Sequence, residues 1–109
     1  MGAGYKIIVT PFLKVNGIAL FPFILLNNKA LLNDEVMINH ERIHLRQQAE
    51  LLVIPFYILY LLNYFVNLII YREHNKAYLN IVFEREAYEK EADMAYLKQR
   101  KWFGWMRYF

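Results

Sequence analysis

Cysteine is absent from the chain, so disulfides, thiolate metal ligands and cysteine nucleophiles are all excluded. Any metal ion must be held by His, Asp or Glu, and histidine is itself scarce, with three copies. A chain without cysteine fits reducing and oxidising compartments alike. Charge is sparse too: 21% of residues are charged, against 58% hydrophobic and 17% aromatic. In 109 residues, one domain at most, that apolar share exceeds what a single core needs, because small domains expose much of their surface. The excess points to a membrane face or an apolar partner. A net charge of +3 is too small to argue for nucleic acid. No internal repeat or low-complexity linker is visible. The opening MGAGYK lacks the pattern of a secretory signal, and Lys6 stands where N-myristoylation wants Ser or Thr.

The fold class expected is mainly α with an N-terminal β-hairpin, an α+β arrangement in a single domain. Residues 5–26 predict the hairpin, turning at Val15-Asn16-Gly17-Ile18, because Asn-Gly tolerates the positive φ that a two-residue turn demands. Facing residues would then have numbers summing to 33, which sets Pro11 against Pro22 at a rung where neither can donate. A loop over 27–33 follows. Asn33 is the expected N-cap of a helix over 34–54 that Pro55 kinks or ends. Residues 51–71 carry no charge in 21 positions, and 56–72 reads as a hydrophobic helix with Tyr57, Tyr60, Tyr64, Asn67, Tyr71 and His74 as a mildly polar stripe. A polar connector over 71–80, a helix over 81–100 and a basic aromatic tail over 101–109 complete the chain.

The most informative stretch is HERIH, residues 40–44. On an α-helix, positions i and i+4 lie about 40° apart on one face, so the imidazoles of His40 and His44 can share one metal ion. Glu41, about 100° round, is placed to act as general base on a water molecule that zinc acidifies. Arg42 and Ile43 point away; Met37, Gln48 and Leu51 share the ligand face. Two ligands do not make a site, and five-residue motifs arise by chance. A third ligand is therefore needed, and the candidates are Glu84, Glu86, Glu89, Glu91 and His74. On a continuous helix from Phe83, the apolar face takes Ala87 and Met94, and both Glu84 and Glu91 lie on that side. Glu89 and Asp93 point to solvent with Tyr96, and Glu86 is intermediate. A carboxylate on an apolar face wants a cation or a metal, which favours Glu84 as ligand and Glu91 as partner to a ligand histidine or to Arg42.

HERIH followed by a later helix with Glu84-Arg-Glu-Ala87 resembles the gluzincin group of zinc metallopeptidases, over about residues 33–98. Gln47-Gln48 after the second histidine resembles small bacterial members of that group, and the hydrophobic segment beside the motif resembles its sensor-type membrane peptidases. The resemblance implies a minimal zincin-like fold, with two ligand-bearing helices joined by a long hydrophobic helix. It also implies zinc on His40, His44 and Glu84, Glu41 as base, and a peptide or protein substrate bound along a strand edge. Members often carry Asp four residues after the glutamate ligand, where this chain has Tyr88, a residue able to donate a hydrogen bond to a developing oxyanion. The register Glu89-x-x-Ala92-Asp93 matches the same letters on the opposite face. The alternatives are a non-catalytic membrane-associated or complex subunit on a degenerate zincin fold, and a structural helical protein with no metal.

The metal reading bears on the hydrophobic segment. One bilayer crossing over 51–71 would part His44 from Glu84 by about 30 Å. Crossing and returning takes about 40 residues, and 39 lie between the two. A buried, interfacial or half-inserted helix is expected instead. The expected location is a membrane surface, and otherwise the cytoplasm. Trp102, Phe103 and Trp105 among basic residues suit a membrane–water interface, and equally suit closing the hydrophobic core with the basic groups left in solvent. A single short cluster is too little for nucleic acid, so the partners expected are a membrane interface or a hydrophobic protein, with oligomerisation left open.

Overall fold

The structure, a computed structural model, describes residues 5–109; the MGAG stretch before them lies outside it. The chain is mainly helical with a small N-terminal sheet: β1 (Lys6–Val9), β2 (Gly17–Leu20) and β3 (Phe23–Leu26), in the order β1-β3-β2. Then come α1 (Glu35–Leu51), α2 (Val53–Tyr71), α3 (His74–Leu79), α4 (Val82–Lys90) and α5 (Tyr96–Gln99).

The hairpin exists, but not with the Asn16-Gly17 turn. β2 pairs antiparallel to β3 through Gly17↔Leu26 and Leu20↔Phe23, so the turn is Phe21-Pro22, and β1 pairs parallel to the other side of β3. The prolines account for the change. In the observed pairing Pro22 sits in the turn and Pro11 beyond the end of β1, so neither has to donate to the ladder. β2 is left as an outer strand beside α1.

Helix boundaries shift for local reasons. Residues 29–33 form a 3-10 turn rather than a loop, which makes Asp34 the N-cap of α1, its carboxylate accepting from Met37 N at 3.0 Å. α1 ends at Leu51, four residues before Pro55, capped by Leu52 with φ 68°. Pro55 then falls in the first turn of α2, where a missing N–H costs little. The polar connector contains α3, which folds back along α2: Asn67 Nδ2 donates to Ala77 O at 3.1 Å and Asn63 Oδ1 accepts from Val82 N at 2.8 Å.

The helix expected over 81–100 is two pieces. The carboxamide of Asn39 donates to the carbonyls of Glu91 and Asp93 at 2.9 and 3.0 Å, taking the backbone acceptors that a continuing helix would use. As a consequence Met94 is exposed, contrary to its expected place on the buried face, and Tyr96 turns inward. The tail closes the structure: a 3-10 turn over Gly104–Tyr108 packs Trp105 on Phe83, next to Phe56, Ile81 and Val82. A second apolar cluster joins the sheet to α1 through Ile24, Leu26 and Leu45; a third joins α1 to α4 and α5 through Ile43, Ala87 and Leu97.

Candidate metal centre

α1 and α4 lie against each other on small or branched residues, and Ala87 is fully buried against Ile43. That close approach brings His40, His44 and Glu84 together, all buried. Glu84 Oε1 is 3.1 Å from His40 Nε2 and 2.9 Å from His44 Nε2, and the two Nε2 atoms are 3.2 Å apart. Among the described residues this is the group arranged to hold a metal ion.

The hydrogen bonds behind the imidazoles set their protonation. His40 Nδ1 lies 2.8 Å from Glu91 Oε1, which as a carboxylate can only accept. His44 Nδ1 lies 2.8 Å from Gln47 Oε1, and Gln47 is oriented by its amide nitrogen, which donates to Phe83 O at 3.1 Å and Glu86 Oε1 at 2.9 Å. Both rings therefore carry their proton on Nδ1 and present a bare Nε2 lone pair to Glu84 Oε1. Three lone pairs converging on one point repel unless a cation lies among them. Tetrahedral metal–ligand bonds of about 2.0 Å give ligand–ligand edges of about 3.3 Å, against 2.9–3.2 Å here. The donor set fits a metal ion.

Without an ion, a proton takes its place. Burial acts to depress His44, but the charge and hydrogen bond of Glu84 outweigh it and raise the group from 6.5 to about 9. Burial acts to raise Glu84, and His44, His40 and the Tyr60 hydroxyl at 2.6 Å overcome it, holding the carboxyl far below its usual range. The two shifts express one interaction and count once. Metal-free protein thus gains stability from protonated His44 below pH 6.5 and loses it as pH rises through about 9. The loss expected between those limits is on the order of 3 kcal/mol, read as a falling Tm. A metal ion must displace that proton, so apparent metal affinity should rise about tenfold per pH unit over the same window in competition with a chromophoric chelator. A flat profile would remove His44 from the ligand set.

Glu41 is buried next to both histidines. Burial raises its pKa most, partly offset by the charges of His44 and His40 and by the Ala19 N–H. It lies where two lobes of a cleft meet. One, of about 490 Å³, is lined by Ala19, His44, Phe56, Tyr57, Tyr60 and Glu84. The other, of about 380 Å³, runs towards Gly17, Met37, Tyr78, Tyr88 and Glu91. Met37 Cε lies over the Cα of Gly17, in the space a Cβ there would take. Tyr88 stands edge-on to His40, ring centroids 4.4 Å apart, and its hydroxyl is 2.9 Å from that of Tyr78.

The other candidates lie elsewhere. Glu89 is at the surface, accepting from Tyr108. His74 is in the cleft wall with Nδ1 2.8 Å from the Tyr64 hydroxyl, apart from the ligand group. Leu51 turns to the core, whereas Gln48 lines the larger lobe and clamps β2, accepting from Phe21 N at 2.7 Å and donating to Ala19 O at 2.9 Å. Glu86, expected to be intermediate, is fully buried behind the site, held by Gln47, Tyr96 and Arg100. Sequence reasoning missed this chain of contacts and the Tyr60 hydroxyl on Glu84. The position of Gln47 three residues after His44, and the tyrosine stripe of α2, were the available signals. No family model, no curated protein and no solved structure matches this chain.

Proposed function

We propose that the protein is a zinc-dependent hydrolase of the gluzincin kind, acting on peptide bonds. The observation that carries the proposal is the triangle of His40 Nε2, His44 Nε2 and Glu84 Oε1, 2.9–3.2 Å apart, with Glu41 beside it at the junction of an open cleft. Two imidazoles and a carboxylate, with no sulfur, suit zinc in a catalytic rather than a closed structural site. Bound zinc supplies a Lewis acid and brings the pKa of a water ligand towards neutrality. Glu41, its own pKa raised by burial, takes a proton from the attacking water and returns it to the leaving amine. Tyr60 holds Glu84 by its second oxygen, leaving Oε1 for the ion. The outer strand β2 borders the cleft, so an extended peptide can approach along Gly17 and Ala19.

One observation favours a second reading. The Ala19 carbonyl is already taken by Gln48 and by the Tyr57 hydroxyl at 2.6 Å, which occupies part of that strand edge. A metal-stabilised interaction module without turnover would keep those bonds in place. Both readings are tested by loading the purified protein with one equivalent of zinc and incubating it with an unstructured protein such as casein. Cleavage that a chelator stops and zinc restores supports the hydrolase; a zinc-raised Tm without cleavage supports the module. A chain that takes up no metal, and whose stability His40→Ala leaves unchanged, ends both.

A further inference from the structure

α2 is too exposed for a core helix: of its 19 residues only Phe56 and Asn67 are buried. Its open half is uniform. At 100° per residue, Leu61, Ile54, Phe65, Ile58, Ile69, Leu62, Val66, Leu59 and Ile70 fill an arc of about 180° in which no side chain is polar. All are exposed, Ile69 by 75%. The opposite half holds the domain through Tyr57, Tyr60, Asn63, Tyr64 and Asn67.

The tail adds exposed aromatic side chains close in space to the end of α1. Phe103 N donates to Glu50 Oε2 at 2.8 Å, which anchors the tail near the end of α1, two residues before exposed Leu52 in the chain. From there Trp102 and Phe109 project into solvent, 72% and 82% exposed. Residues 94–109 contain no acidic side chain, and apart from buried Arg100 their basic groups, Lys98, Lys101 and Arg107, are exposed.

We propose that α2 and the tail together dock the protein on an anionic lipid leaflet, with α2 lying in the plane of the interface. The width of the apolar arc fits a lipid surface, and the exposed Lys98, Lys101 and Arg107 select an anionic one over a second copy of this chain, whose tail carries the same charge. A helix facing a protein neighbour needs an apolar stripe of at least about 100°, and the arc here is wide enough for a helix sunk to its equator in acyl chains, which wets the full half. The basic residues of the tail complement acidic headgroups. Lying flat rather than crossing follows from the polar half: Asn63 and Asn67 tie α2 along its length to α3 and to the start of α4, and a crossing would carry Glu73 and Lys76 into hydrocarbon. The inference stands independently of any metal chemistry.

Co-sedimentation of the full chain with vesicles tests it, using phosphatidylcholine alone and phosphatidylcholine with about 30% phosphatidylglycerol, a surface that attracts Lys and Arg. Binding to both is expected, tighter to the anionic vesicles, with a blue shift of Trp102 emission absent in Trp102→Phe. Lys101→Ala with Arg107→Ala should weaken anionic binding about fivefold per charge and leave neutral binding unchanged. Leu62→Glu with Ile69→Glu should abolish both, and since the two side chains are exposed, Tm should hold; Leu62→Ser with Ile69→Ser checks the result without added charge. The proposal is overturned if wild type does not sediment with vesicles, or if the double Glu and double Ser variants bind as wild type does. It is equally overturned if the protein is a lipid-indifferent dimer that the double Glu variant turns into monomer, which would make a second copy the occupant of the face.

Discussion

Arg100→Leu should destabilise the protein by about 3–5 kcal/mol, a large part of the 5–15 kcal/mol that holds a domain together. The Arg100 side chain is 1% exposed and lies between two carboxylates that are wholly buried. Its guanidinium bonds Glu86 at 2.5 and 3.1 Å and Glu50 at 2.6 and 3.1 Å. Burial acts to raise Glu86, but the hydrogen bonds from Arg100, Tyr96 and Gln47 outweigh it and lower the pKa, so in the wild type this group stabilises above its unfolded value and loses that as pH falls. Removing Arg100 reverses the sign. Two buried carboxylates are left without a cation, and the variant should be least stable at neutral pH and recover on mild acidification. Urea titrations at pH 5 and pH 7 read the reversal. Zinc affinity should fall about 10- to 100-fold as well, because Glu86 orients Gln47 and Gln47 holds His44 Nδ1. A loss below about 1 kcal/mol, as for a solvated surface pair, would show that the triad is not buried in solution.

Glu41→Gln should lower kcat by about 10²–10⁴-fold, the usual contribution of a positioned general base, while zinc stoichiometry stays at one. The substitution keeps the shape of a buried side chain and touches none of the three converging lone pairs. Stability should not suffer, since the raised pKa of Glu41 marks a carboxylate whose charged form is disfavoured by its surroundings. The acid limb of the pH–rate profile, which Glu41 would set, should vanish with the carboxylate. Parallel measurements of turnover and bound zinc separate the outcomes. Retained turnover excludes Glu41 as base, and lost zinc would mean that the carboxylate contributes to the ligand field instead.

The grouping of His40, His44 and Glu84 is legible because it depends on short-range helical periodicity: i, i+4 for the imidazoles, and one turn for Glu84 and Ala87. The hairpin turn is legible only in part. Asn16-Gly17 is a strong local signal, yet pairing is decided over the whole sheet, where placing two prolines off the ladder outweighs a favourable turn. Glu86 and Arg100 are hidden for a related reason. Projecting 81–100 as one helix cannot anticipate that Asn39, on another element, takes the carbonyls of Glu91 and Asp93. That break turns Tyr96 and Arg100 back onto Glu86. Face arithmetic fails where a side chain from elsewhere competes for the backbone.

Ala87 has a consequence of a different kind. His44 and Glu84 are 40 positions apart in the chain, and what holds their helices at ligand distance is the fully buried contact of Ala87 with Ile43. Closing a loop of that length costs about 4 kcal/mol in chain entropy, and packing meets that cost before any ion arrives. Metal affinity is therefore a gauge of helix spacing. A side chain larger than Ala at position 87 would part the helices and register as a weaker zinc constant, though no ligand had been touched.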